Sequence, residues 1–216
     1  MTIYFLSGLG ADSRAFKNLI FPPGIKTVFI DWLVPYKKEP MADYAKRLTA
    51  SIDTSVPFVL VGLSFGGMLA SEVTAFIKPY KTILISSAAR RQELPFYYKW
   101  AGTLQLNKLL PEKNIHKSNI LTNWLFSISS GNDKFLLEDI LKSSNPAFSK
   151  WAINEIVNWK RKTAPQNVIR IHGDKDRVLP RINFKPDHLI KGGGHFMVVN
   201  KANEISRIIN EAINIT

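Results

Sequence analysis

The 216-residue sequence contains no cysteine. Disulfide staples and thiolate metal sites are therefore excluded, and a reducing cytoplasm is the expected location. It also lacks any apolar run approaching the ~20 residues that cross a bilayer. Its first residues, MTIYFLSGLG, have no basic region ahead of an apolar one, so the start reads as a strand and not as a signal peptide. Acidic residues are few, 17 against 29 Lys and Arg, which leaves a formal charge of +12. The basic residues are scattered as singles and short groups, such as Lys37 with Lys38 and Arg90 with Arg91, without the long run or motif of a nucleic-acid binder. The charge therefore speaks to solubility and weak association, and at most to a mild preference for anionic substrates. Internal repeats and low-complexity segments are absent. What is present is 45% hydrophobic residues, enough for the core of one domain spanning residues 1–216.

The chain is organised around Phe58 to Phe76, FVLVGLSFGGMLASEVTAF. An apolar run of strand type, Phe58 to Val61, leads into Gly62, Leu63, Ser64, Phe65 and Gly66, and helix-forming sequence follows at once. That is a strand, a sharp turn and a helix with one serine at the apex. A nucleophile on such a turn occupies sparsely allowed backbone space, and glycine is needed two residues before and after it. The turn exposes the Ser64 hydroxyl and leaves the Phe65 backbone N–H at a helix N-terminus, where a developing oxyanion is stabilised. Read as a mere turn residue, Ser64 would leave the flanking glycines, strand and helix unexplained together.

Two further stretches belong with it. Ile169 to Pro180, IRIHGDKDRVLP, is a strand followed by a loop carrying Asp174 and Asp176; Leu189 to Phe196, LIKGGGHF, is a short strand followed by three glycines and His195. Of the four histidines, His116 lies in a helical stretch, His172 at a strand end where a structural hydrogen bond is the plainer role, and His188 before a strand. Only His195 follows a glycine-rich loop after the last strand, which lets the ring reach Ser64.

The elbow GLSFGG, the acid loop G-x-x-D-x-x-x-P from Gly173 to Pro180, and GGGHF, in that order, resemble the α/β-hydrolase superfamily over nearly the whole chain. The resemblance places the acid three residues after the glycine and four before the proline, which selects Asp176 and leaves Asp174 as a turn cap. It also implies that the loop after the first strand supplies a second oxyanion N–H. Here that loop is Ser7, Gly8, Leu9, Gly10, with Leu9 as donor and Ser7 where the superfamily usually has histidine.

Strands starting at Ile3, Val28, Phe58, Ile83, Val168 and His188 alternate with helical stretches, so the expected fold class is α/β, a mostly parallel sheet of about six strands with helices on both faces. Against the resemblance, the superfamily's first two strands are missing. Expected helices are Ser13 to Leu19; Met41 to Ile52, with Pro40 at its first position; a helix after the elbow with Leu69, Val73 and Phe76 on one face; and Ala202 to Ile213. Asp31, at the end of the second strand, reads as a loop carboxylate.

Residues 88–167 fit no strand-helix alternation and read as an inserted helical cap. Its expected helices are Pro95 to Leu110, Ile115 to Ser127, Asp133 to Leu141, and one opened by Pro146 with Asn145 as N-cap. The segment holds Phe96, Tyr97, Tyr98, Trp100, Trp124, Phe126, Phe148, Trp151 and Trp159. These read mainly as packing residues, and none is singled out for substrate.

The resulting expectation is a serine hydrolase that cleaves a small carboxylic ester or thioester through an acyl-enzyme on Ser64. His195 acts as base, Asp176 orients it, and Leu9 and Phe65 bind the oxyanion. It needs no metal or organic cofactor, and its partner is a small-molecule substrate with no nucleic acid. The alternatives left open are a lyase, C–C hydrolase or acyl transferase of the same fold, or a small-molecule-binding protein with weak turnover.

Overall fold

The structure, a computed structural model, describes residues 1–105, Phe126 and residues 131–213. Six strands lie in one sheet: β1 (Thr2–Leu6), β2 (Lys26–Phe29), β3 (Phe58–Leu63), β4 (Lys81–Ile85), β5 (Val168–Gly173) and β6 (His188–Ile190). They run parallel throughout in the order β2-β1-β3-β4-β5-β6. Successive strand residues point to opposite faces, and both faces are covered, so the central strand β3 is apolar along its whole length. All six residues of β3 are buried.

The alternation divides the core in two. Ile3, Phe5, Val59, Val61, Ile83 and Ile85 pack on one side against the last helix, α7 (Ala202–Ile213), after the short α6 (Met197–Asn200). Tyr4, Leu6, Phe58, Leu60 and Leu84 pack on the other against α1 (Met41–Leu48) and α2 (Phe65–Val73). Ile205, Ile208, Ile209, Ala212 and Ile213 form the buried stripe of α7. Each isoleucine placed there stabilises the fold by roughly 1.5–3 kcal/mol relative to exposure.

Between β4 and β5 the described helices are α3 (Phe96–Thr103), α4 (Gly131–Ser143) and α5 (Pro146–Val157). Asn145 caps α5, its side chain accepting from the Ala147 and Phe148 amides, with Pro146 in the first turn. The end of α3 comes earlier than Leu110, because Gln105 takes a left-handed conformation (φ 54°) just past Leu104. The stretch 106–125, with most of the helix expected over Ile115 to Ser127, and with His116 and Trp124, lies outside the described residues.

Other boundaries differ for local reasons. Ser13–Phe16 forms a single 3-10 turn capped by the Asp12 carboxylate, not a helix to Leu19. The second strand ends at Phe29, two residues short of Asp31, which is exposed. Pro40 is extended (ψ 148°) and caps α1 from outside its first turn, and the helix tightens to a 3-10 turn over Thr49–Ser51. Phe76 falls beyond α2 and is 42% exposed, so it leaves the face shared by Leu69 and Val73. Among the described residues, no helix is long and apolar enough to cross a membrane.

Candidate active site

Parallel strands deliver their C-terminal loops to one edge of the sheet, and three of those loops build the site. The first is the turn after β3. Ser64 sits at φ 51°, ψ −118°, a conformation that side-chain-bearing residues rarely hold. It is held from three sides: its N–H donates to Ile85 O at 2.9 Å, and its carbonyl accepts from Gly67 N–H at 2.9 Å and from the Ser87 hydroxyl at 2.6 Å. Gly62 and Gly66 are required by close backbone approach. A Cβ on Gly62 would stand 2.4 Å from Gly67 Cα, and one on Gly66 would stand 2.1 Å from Ser7 O, at the end of β1. The second glycine thus makes room for the neighbouring strand's loop, and the first makes room across the turn itself.

The second loop follows β5. Asp176 Oδ1 accepts from the Val178 and Leu179 amides at 3.0 and 2.9 Å, which folds the loop around the carboxylate. The third follows β6 and carries His195. Asp174 links these two loops, since its Oδ1 accepts from Gly192 N–H at 2.7 Å, and it takes no part in the contacts of His195.

The loops bring Ser64, His195 and Asp176 into one line. Ser64 Oγ lies 2.8 Å from His195 Nε2, and His195 Nδ1 lies 2.9 Å from Asp176 Oδ2. A carboxylate only accepts, so the neutral ring carries its proton on Nδ1 and leaves Nε2 to accept from the serine. His195 and Asp176 are 3% and 6% exposed. Burial pushes the Asp176 carboxyl up, but the attraction of His195 and its hydrogen bond, with His172 and the Leu179 N–H, outweigh burial and hold it below its ordinary value. A hydroxyl, an imidazole and an ionised carboxylate in this line can pass the serine's proton to the ring as the oxygen attacks.

The loop after β1 closes the site. Ser7, which stands where a histidine is usual in the resemblance, donates its hydroxyl to Ala11 O at 2.7 Å, and the Trp32 indole N–H donates to the same carbonyl at 3.1 Å. These bonds brace the loop across its turn. Among the described residues neither the Leu9 nor the Phe65 backbone N–H has a hydrogen-bond acceptor.

Beside Ser64 opens a cavity of about 360 Å³. Its walls include Leu9, Met68, Leu137, Ile140, Ile153 and Val178, and no described lining residue is charged. Of the described aromatic residues singled out between β4 and β5, Tyr98 and Phe126 line it. The Phe126 ring stands edge-on to His195 at 5.3 Å, and the Tyr98 hydroxyl donates to Val178 O at 3.0 Å. Phe148 and Trp159 are buried packing residues; Phe96 and Trp100 are exposed.

Sequence reasoning missed one polar neighbour: Ser87, just past β4, braces the serine turn and has no local signal. His172, read as a strand-end histidine with a structural hydrogen bond, makes one to Leu179 O at 2.7 Å, and its Nε2 also stands 3.3 Å from Asp176 Oδ2, a contact no local pattern signals. His188 is on the edge strand β6. Among the described residues, no group of three or more His, Asp or Glu is arranged to hold a metal ion.

No family model matches the sequence, and no curated protein does. Solved structures resemble it in fold. MenH from S. aureus superposes with a TM-score of 0.69 at 16% identity, over 99% of this chain and 93% of that one. A thermophilic esterase from Thermogutta terrifontis gives 0.65 at 14%, over 99% and 89%. A bromoperoxidase from Bacillus anthracis gives 0.64 at 15%, over 98% and 91%. Identities this low speak for a shared architecture alone.

Proposed function

The chain has the α/β-hydrolase fold, and on that premise we propose that it is a serine hydrolase cleaving a small carboxylic ester or thioester. The observation that carries this reading is the Ser64–His195–Asp176 line, with bonds of 2.8 and 2.9 Å, at the wall of an uncharged cavity. In the proposed mechanism His195 Nε2 takes the Ser64 proton while Oγ attacks the carbonyl carbon. Asp176 keeps the proton on Nδ1 and stabilises the imidazolium. The Leu9 and Phe65 N–H groups receive the oxyanion, each such donor being worth about 3 kcal/mol of barrier. The imidazolium then returns its proton to the departing alcohol or thiol. Water, activated by the same ring, releases the acid from the acyl-enzyme.

Residues 88–167 act in this reading as a cap that selects the substrate. Support comes from the described residues of α4 and α5 lining the cavity, including Ile140 and Ile153. The acyl group it takes is apolar and uncharged, since a buried carboxylate or ammonium there would meet no partner among the described lining. The net charge of +12 thus lies away from the described lining, against a preference for anionic acyl groups.

The test is labelling by a fluorophosphonate, with the adduct located by peptide mass spectrometry. One adduct on Ser64, lost in His195→Ala, and turnover of p-nitrophenyl butyrate abolished by Ser64→Ala, are expected. Absence of labelling in the intact protein, together with absence of ester turnover, would reject the hydrolase in favour of a binding role.

A further inference from the structure

We propose that His172 is a positioning residue for Asp176, acting as a neutral donor that closes the acid loop on β5 and takes up part of the carboxylate's charge. The inference rests on the reading of Ser64, His195 and Asp176 as a catalytic line.

His172 is 1% exposed, next to the last residue of β5. Its Nε2 lies 2.7 Å from Leu179 O and 3.3 Å from Asp176 Oδ2. A carbonyl oxygen cannot donate, so Nε2 carries the proton toward Leu179 O, and the carboxylate lies beside that N–H. The ring is fixed edge-on to Phe184 at 5.1 Å. Burial pushes the imidazole's pKa down, against the pull of Asp176 and the hydrogen bond to Leu179 O.

The consequence lies in how Asp176 is surrounded. The carboxylate accepts from the Val178 and Leu179 amides and from His195, and the His172 Nε2 stands beside Oδ2 at 3.3 Å without a hydrogen bond to it. The same ring holds Leu179 O, so it ties the far end of the Asp176–Leu179 turn to the strand. That turn also carries Val178 and Leu179 into the cavity wall. The other titratable groups facing this trio are Arg181 beyond the acid loop, and Tyr97 and Tyr98 on α3. The His172 Nε2–H dipole beside Oδ2 stabilises the carboxylate's charge in competition with His195. Removing it leaves the carboxylate a stronger partner for the imidazolium, so the acid limb of the kcat/KM profile moves to higher pH.

The experiment compares the parent with His172→Leu and His172→Gln on p-nitrophenyl butyrate from pH 5 to 9. Rates are normalised to the Ser64 labelled by fluorophosphonate. His172→Leu is expected to lower kcat about 10- to 100-fold with little change in KM and to raise the acid limb by about half a pH unit. His172→Gln, whose amide N–H reaches the place of Nε2, is expected to stay within about fivefold of the parent with the limb in place. A leucine variant whose acid limb does not move overturns the proposal, because a merely structural histidine would change stability and leave the limb alone. If that variant does not fold, the ¹⁵N spectrum of the intact protein decides. His172 must hold the neutral Nε2–H tautomer from pH 5 to 8, and a ring that titrates there sinks the idea. Normal labelling of Ser64 with an unmoved limb rejects this inference alone, whereas a parent that is never labelled and turns over no ester rejects the hydrolase reading beneath it.

Discussion

The sheet with its C-terminal loops and the helical segment between β4 and β5 are held together by different means. In the sheet, backbone meets backbone. A Cβ on Gly62, Gly66 or Gly173 would fall within 2.4 Å of another main-chain atom, and the Ser64 turn is bonded to Ile85 O and Ser87. The helical segment is tied mainly by side chains. Glu93, buried, accepts from Ala89 N–H and Arg170; the Trp159 indole donates to Glu72; Trp151 donates to Glu39 O; Arg91 donates to Trp159 O. Its helix α3 leaves Phe96, Tyr97 and Trp100 exposed. Main-chain contacts place atoms to fractions of an ångström and tolerate no substitution, whereas side-chain tethers fix a helix and still allow its inner face to vary. In the proposed reading the first region suits chemistry and the second suits selection.

The sharpest break of this comparison is within the line itself. Ser64→Ala and His195→Ala are each expected to lower kcat on the order of a millionfold, and Asp176→Asn about 10⁴-fold. Asp174→Asn, two residues away and with its carboxylate held among the described residues by the Gly192 N–H, should cost less than about tenfold in kcat. A severe Asp174→Asn with a mild Asp176→Asn would overturn the assignment of the acid.

Glycines sharpen the comparison next, Gly102 being the point where the helical segment also packs backbone on backbone, a Cβ there standing 2.3 Å from Val157 O. Gly66→Ala drives a Cβ against Ser7 O and should destabilise the fold by more than about 3 kcal/mol in urea unfolding. Gly131→Ala at the start of α4 meets nothing within 4 Å and should be neutral or stabilising by up to ~1 kcal/mol. Of the tethers, Trp159→Phe strips a donor from the buried Glu72 carboxylate and should cost about 1–3 kcal/mol, leaving the rate on small esters nearly unchanged. A large loss of rate with normal stability would mean that the two regions are not separable.

The smallest effect is one of pH. The folded Asp176 carboxyl lies below its ordinary value of 3.8, so it contributes stability that is complete above that value and is lost as pH falls through the lower folded value. The stability difference between parent and Asp176→Asn should therefore shrink as acid is added below about pH 4, measured by urea midpoints.

Much of this was legible before any coordinates, and unevenly so. The six strands were legible because each is a run of apolar residues between turn residues, a pattern set by burial on both faces. The serine turn was legible because its glycines answer a clash that any chain of that path must avoid. Boundaries at Phe29, Leu48 and Thr103 were not, since capping and left-handed residues such as Gln105 act through tertiary context. The helix Met197–Asn200 was hidden for the same reason: its MVVN sequence has no helix signal, and its burial against the sheet decides its shape.

The sequence by itself determined the class of fold and the three short stretches that hold Ser64, Asp176 and His195. Local steric necessity and apolar periodicity are written residue by residue, and they need no partner to be read. Only the tertiary structure decided which groups meet. Ser64 and His195 are 131 positions apart and touch because the strand order sets their loops side by side. The same placement separated Asp176 from Asp174, put His172 behind the carboxylate, and left an apolar cavity beside the serine. Contacts between distant residues depend on how loops leave a shared sheet, and no local pattern encodes that.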